Sequence, residues 1–229
     1  MSPRRTAIVV PAVLAVVLGL ILTGLGPASA GVPPPERDRP VLVSPSEKPA
    51  GTSWAVWEAR YLKWWLEFPT PVNPALHPEN ERNCEPRHGI VFVMAWGTKA
   101  GCEVPAQRLV LFSPLGWSCS TAEGNGHAWK TLRRCARTNF RKELTDIKLQ
   151  VFLDGQAVAN PWRWTFDGSR GVVTYPKKAV WGVPPGKSRV VGKGLYYMLQ
   201  PMEPGKHVIR VRMLEDGKVT RIKFGLTVV

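Results

Sequence analysis

The chain is short of acid: 17 Asp and Glu stand against 31 Lys and Arg, a formal charge of +14 over 229 residues. It has four cysteines but no CxxC pair, and four histidines without the spacing of a standard metal site. Residues 116–120 come within one glycine of G-x-S-x-G without completing it. No segment repeats, and no second linker resembles the proline-rich stretch that ends near residue 51. These gaps argue against a thiol zinc site, a serine-hydrolase elbow, a repeat array and a two-domain division. Neither a metal nor a cofactor is expected.

What is present begins with the leader. Arg4 and Arg5 precede an apolar run over residues 7–25, closed by Gly26, Pro27, Ala28, Ser29 and Ala30. A basic start, an apolar middle and an A-x-A exit form the pattern of a secretory signal peptide, with cleavage expected after Ala30. The alternative is an uncleaved anchor, since the run approaches the roughly 20 residues that span a bilayer. Pro11 within the run and the small-residue exit favour release, and two arginines alone do not make a twin-arginine signal. No cysteine follows the apolar run, which removes a lipoprotein anchor. The expected location is secreted or extracytoplasmic, in a bacterium, with no stable membrane span after cleavage.

Export changes how the rest reads. Loss of Arg4 and Arg5 lowers the charge from +14 to +12, and outside the cell such a charge favours anionic polymers or envelope surfaces over nucleic acid. Cys84, Cys102, Cys119 and Cys135 sit in a compartment where disulfides persist. Of three possible connectivities, Cys84 with Cys102 and Cys119 with Cys135 is favoured, since each pair clips a loop around one local element. Each closure is worth roughly 3 kcal/mol.

Residues 31–51 read as a proline-rich flexible leader, and residues 52–229 as one disulfide-containing β-rich domain. Trp54, Trp57, Tyr61, Trp64, Trp65 and Phe68 recur every three or four residues, which predicts an aromatic helix over 53–67 stopped by Pro69. Such a stripe is usually core, although exposed aromatic rows also stack on sugar rings. Residues 70–87 read as a disulfide-tied loop. A second helix over 127–144 places Trp129, Leu132, Ala136 and Phe140 on one face and Lys130, Arg133, Arg134, Arg137 and Arg141 on the next. Five like charges repel there by a few tenths of a kcal/mol per pair. An anionic ligand would relieve that repulsion, while a solvated face is the simpler reading.

Buried strands are expected at 89–96 and 108–112, an alternating strand at 147–153 before an Asp154-Gly155 turn, and short strands at 172–175 and 195–199. Residues 116–120 and 124–126 read as loop and as the rim of a site, and residues 176–193 as a long mobile surface loop. The last hairpin, 206–215 with 218–228, turns at Asp216-Gly217 in the type I′ manner. That register sets Met213 against Thr220, Val211 against Ile222 and Ile209 against Phe224 on the buried face. It also sets Arg212 against Arg221 and Arg210 against Lys223. Like charges directly opposed destabilise a sheet, so this patch either has acidic neighbours on an adjacent strand or serves an anionic partner.

The catalytic candidates are thin. Glu58 and Glu67 form a nominal glycosidase pair with no separation fixed by sequence, and His77, Glu79, Glu81 and His88 crowd one loop without a metal spacing. For an enzyme, a pocket near Ser118, Glu123 or His127 is required.

The succession Trp57, Trp64, Trp65, Pro69, Asn73, Pro74, Cys84, residues 89–97, Cys102, Val104, Pro105 and residues 109–114 resembles a widespread uncharacterised family of exported bacterial proteins. Residues 194–199, Pro201 and Pro204 to Ile209 resemble that family's C-terminal L-x-P-L-x-P-G-x-H-x-I motif. The chain departs from it at Glu67 and Phe68, and at Trp117, where the family carries an asparagine nearby. The resemblance spans about residues 54–229. It implies export and a β-rich fold and transfers no catalytic residue.

The expected fold is mainly β, a β-sandwich or jelly-roll-like domain with an N-terminal aromatic helix and a short basic helix insertion. The leading function is a non-catalytic binding module for an anionic envelope or extracellular polymer. The alternatives are a hydrolase of an envelope polysaccharide and a protein-protein interaction module.

Overall fold

Strands need β-branched and aromatic residues in alternation, and the chain supplies them in short runs separated by turns. In the computed structural model, which describes residues 41–77, 83–94, 101–144 and 146–229, those runs become eleven strands and two α-helices. The first helix is α1 (Trp54–Leu66), followed by β1 (Cys84–Arg87), β2 (Ile90–Val93), β3 (Gly101–Val104) and β4 (Val110–Ser120). Then come α2 (Trp129–Leu144), β5 (Lys148–Leu153), β6 (Gln156–Ala157), β7 (Thr165–Asp167) and β8 (Gly171–Tyr175). The chain closes with β9 (Gly186–Leu199), β10 (Gly205–Glu215) and β11 (Lys218–Val228). The expected signal peptide and residues 31–40 lie outside the described residues, as do Glu79, Glu81 and residues 95–96.

Sheet A runs β1-β2-β4-β9-β7, with β8 also paired to β9; sheet B runs β3-β11-β10-β5-β6. The two are layered as a sandwich sharing one apolar core, with Phe92, Leu111, Phe112 and Tyr197 from A and Val151, Ile209, Val211 and Phe224 from B. Sheet B is one-sided: along β5, β10 and β11, buried and exposed residues alternate. Sheet A is covered on both faces, so residues 194–199 of β9 are continuously buried. Consecutive Tyr196 and Tyr197 point to opposite sides. Tyr197 stacks with Phe112 (5.2 Å) toward sheet B, while Tyr196 meets Tyr61 of α1 edge-on at 5.7 Å.

Helix α1 buries the predicted stripe, including Trp54, Trp57, Tyr61 and Trp64. Two of its indoles are anchored as well as buried: Trp57 Nε1 donates to Pro49 O (2.9 Å) and Trp64 Nε1 to Glu85 Oε2 (2.7 Å). Truncating such a buried aromatic to alanine costs roughly 3–5 kcal/mol. Residues 41–51, placed in the flexible leader by proline content, are pinned to the domain. Val43 is buried, its N–H donates to Met198 O, and its carbonyl accepts from Trp164 Nε1.

Three expected loops are strand in part, the first being the end of the disulfide-tied loop, where Cys84–Arg87 forms β1. Pro114 does not end β4 but sits in a bulge between Phe112 and Leu115, where proline's missing N–H is tolerated. Residues 115–120 then pair with β9. Residues 186–193, placed in a mobile connection by their glycine and lysine content, form the first half of β9, held by β4, β8 and β7. Gly192 there marks close approach to Glu58 and Leu62 of α1.

The disulfides join as expected, Cys84 to Cys102 and Cys119 to Cys135. The first staples edge strand β1 of sheet A to edge strand β3 of sheet B. The second ties α2 to β4. The final hairpin has the predicted register throughout, with Asp216 (φ 46°) and Gly217 (φ 74°) both left-handed at its turn.

Candidate functional site

The solvent face of sheet B is built by alternation. Arg210 and Arg212 on β10 and Arg221 and Lys223 on β11 point outward because their neighbours Ile209, Val211, Ile222 and Phe224 are buried. Arg212 lies opposite Arg221, and Arg210 opposite Lys223. The next strand supplies Gln150 beside Arg212 and Phe152 beside Arg210, with Lys148 one pair further along the same face. Arg212 donates to Gln150 Oε1 at 3.1 Å. Among the described residues, no carboxylate forms a salt bridge with any of the four cations.

The second predicted group has a different fate. Lys130, Arg134, Arg137 and Arg141 are exposed on α2, and Arg133 is half-buried. Arg137 makes a bidentate pair with Asp167 of β7 (Nε–Oδ1 3.0 Å, Nη2–Oδ2 2.7 Å), and Lys193 joins it at 3.1 Å. Burial pushes the Asp167 carboxyl upward, but the two cations outweigh it and hold it below its ordinary value. An internal acid therefore relieves part of the α2 repulsion. A wide groove of about 680 Å³ opens beside this cluster, lined also by Phe140, Trp162 and Arg141.

A deeper cleft of about 560 Å³ lies on the α1 side of sheet A. Tyr61, Leu62 and Trp65 of α1 form one wall; Ser113, Gly116, Trp117 and Ser118 of β4 form another. Tyr196, Met94, Ala75, Leu76, Val180, Trp181 and Glu123 also line it. Beyond the bulge, no described strand pairs with β4 on the side away from β9, which leaves that edge open to the cleft. Ser118 and Glu123, expected on the rim of a site, are here; His127 is not among the lining residues. No histidine is among the described residues that line the cleft with Ser118.

Behind Tyr196 sits Glu58, fully buried in the aromatic stripe of α1. The Tyr196 hydroxyl donates to Glu58 Oε1 at 3.4 Å, and Oε2 has no hydrogen-bond partner. The carboxyl occupies a cradle made by Gly168 and Gly192, where any side chain would overlap it. Burial pushes its pKa up to about 8, against the opposing Tyr196 hydrogen bond and with a small addition from the Asp167 charge. Glu58 is therefore mostly protonated at neutral pH. Glu67, its nominal partner, instead pairs with Lys63 (2.6 Å) and accepts Thr174 N–H (2.8 Å), so the two acids are committed to separate structural roles.

His207 is a further group that sequence alone did not single out for chemistry. Nδ1 lies 2.7 Å from Asp154 Oδ2 and Nε2 2.9 Å from Glu203 O, while Asp154 Oδ1 accepts Val208 N–H. Burial pulls the imidazole pKa down, but the Glu203 carbonyl and the Asp154 carboxylate outweigh it and raise it. This arrangement locks the Asp154-Gly155 turn to β10. His88 is exposed beside Trp57 and Phe92, and no group of three or more His, Cys, Asp or Glu side chains suited to a metal occurs among the described residues.

The cleft was foreshadowed at Ser118 and Glu123, but Trp181 and Tyr196 gave no signal as its walls. Gly192 and Gly194 inside a strand are the sequence sign of close approach there. The two disulfides suggest an extracytoplasmic protein, and no helix among the described residues is long and apolar enough to cross a membrane. No family model, curated protein or solved structure matches the chain.

Proposed function

We propose that the protein is an exported, non-catalytic binding module that holds an anionic envelope or extracellular polymer against the solvent face of sheet B. One observation carries this reading: Arg212 opposite Arg221 and Arg210 opposite Lys223, with Gln150 and Phe152 rather than carboxylates on the adjoining strand. A sheet that opposes like charges twice, with no salt-bridged carboxylate on those cations among the described residues, gives up stability. An extended row of phosphates or carboxylates would restore it. The spacing suits a polymer, since neighbouring strands are about 4.8 Å apart and outward residues about 6.6 Å apart along each strand. Arg212 and Arg221 bring planar guanidinium forks that hold such groups bidentately. The leader pattern and the disulfides support an extracytoplasmic location for this surface, where wall and capsule polymers are the abundant polyanions.

The test is co-sedimentation with poly(glycerol phosphate) and polygalacturonate at low and high salt. Binding should weaken steeply as salt screens the exposed charges. The double variant Arg212→Glu, Arg221→Glu should lose it. Unchanged binding by that variant contradicts the proposal.

A further inference from the structure

We infer that the groove beside α2 binds an amphiphilic anion, a single carboxylate or phosphate carried on an apolar chain or ring. The lining described there is of two kinds. Arg137, Lys193 and Asp167 form a hydrogen-bonded charged trio, while Phe140, Leu144, Ile147 and Trp162 supply an apolar wall. The two kinds adjoin, since Lys193 Nζ stands 5.5 Å from the centre of the Phe140 ring. Two cations share one carboxylate, so the trio keeps a net positive charge. Asp167 accepts from Nε and Nη2 of Arg137, whereas Arg137 Nη1 has no hydrogen-bond partner among the described residues. A second oxyanion can accept from Nη1 and from the remaining hydrogens of Lys193, as Asp167 already does from the same two side chains.

Other occupants use only part of this lining. A neutral hydrocarbon would strip water from the trio without replacing its hydrogen bonds, which is costly. An organic cation meets net repulsion. An inorganic anion, or a polyanion of the class suited to sheet B, reaches the cations and leaves the apolar wall unused. An anion with an apolar tail or ring covers that wall while its charge stays on arginine and lysine. The walls are in place before a ligand arrives. Cys119–Cys135 ties α2 to β4, and Leu132 and Ala136 of α2 pack with Val191 of β9. Tyr197 Oη donates to Pro161 O at 2.9 Å and Thr165 Oγ1 to Trp162 O at 2.8 Å, which holds the turn carrying Trp162. The groove volume of about 680 Å³ lies within the range of small-molecule sites, roughly 300–1,000 Å³. None of the four cations on the sheet B face is among its lining residues, so the two bindings are separable.

The full chain is titrated by calorimetry with octanoate, 4-phenylbutyrate and octyl phosphate, each below its micelle-forming concentration, beside acetate, inorganic phosphate, octanol and octylammonium. At least one of the first three should saturate a single site. Its affinity should exceed that of acetate or inorganic phosphate by at least about tenfold, the effect of covering about two methylene groups. Octanoate against 4-phenylbutyrate tells chain from ring, and octanoate against octyl phosphate tells carboxylate from phosphate. Arg137→Gln, at an exposed position, should weaken the bound anion about tenfold, the scale of one lost charge-assisted contact. Leu144→Asn, at a half-buried position in the last turn of α2, should weaken it several-fold, and both variants should keep cooperative urea unfolding. The Arg212→Glu, Arg221→Glu protein should bind these anions as wild type does, which separates this inference from the polymer reading. Failure of every amphiphilic anion to saturate, equal affinity for acetate, octanol or octylammonium, or indifference to both groove substitutions would overturn it.

Discussion

Arg212 of β10 stands directly opposite Arg221 of β11, both on the solvent face, with Gln150 of β5 as the polar neighbour on the far side. Replacing Arg221 with Glu turns a repulsive cross-strand pair into an attractive one. The variant should be more stable than wild type by a few tenths to about 1 kcal/mol in denaturant unfolding, while binding polyanions less well. A fall in stability would mean that the pair is already compensated within the fold.

Glu58 should impose a pH dependence on folding. Its folded pKa of about 8 lies above its unfolded value, near 4.5. Its contribution is complete below the unfolded value, declines as pH rises, and is gone above about pH 8. Urea midpoints of the wild type should therefore fall between pH 5 and pH 9, by an amount on the order of a few kcal/mol. Glu58→Gln should flatten that slope. A wild-type curve parallel to that of Glu58→Gln would contradict the assignment.

His207 acts in the same direction over a narrower window. Its folded pKa is raised above 6.5, so its contribution is present below about 6.5 and lost as pH rises through the folded value. Asp154→Asn removes the charged partner and should cost about 1–3 kcal/mol at pH 6. The cost should be smaller at pH 9. Thermal melts of the two proteins at both pH values measure the difference, and an equal cost at both would show that only the Val208 N–H bond matters.

The cradle around Glu58 can be probed from its other side. Gly192→Ala places a methyl group against the Glu58 carboxyl and Leu62. The side chains are packed there, so overpacking of about 1–3 kcal/mol is expected. Combining it with Glu58→Ala should recover much of that loss. A double variant no better than the sum of the singles would show that backbone, not the carboxylate, is the obstacle.

Much of this architecture was legible because local signals and tertiary packing agree. The aromatic stripe of α1, the alternation in β10 and β11, and the Asp216-Gly217 turn each follow from residue spacing, and they fix the position of the basic face. The disulfide pairing followed from each pair clipping a loop around one local element. Sequence reading stumbled where a residue's usual role was overridden by its neighbours. Pro114 ordinarily ends a strand, but a bulge lets β4 continue. The glycines and basic residues of 176–193 suggest a loop, but Gly192 admits Glu58 and Leu62 of α1 against the sheet. The cleft was half visible for the same reason: Ser118 and Glu123 are near in sequence, whereas Trp65, Trp181 and Tyr196 meet them only through long-range packing.

The most direct test of the central proposal is the salt dependence of polymer binding compared between wild type and the Arg212→Glu, Arg221→Glu protein. The wild type should bind poly(glycerol phosphate) at low salt, release it as the Debye length shortens toward about 8 Å at physiological ionic strength and below, and lose affinity at every salt concentration when the two arginines are reversed. Equal binding by the two proteins, or binding that salt does not weaken, would contradict the assignment of this face.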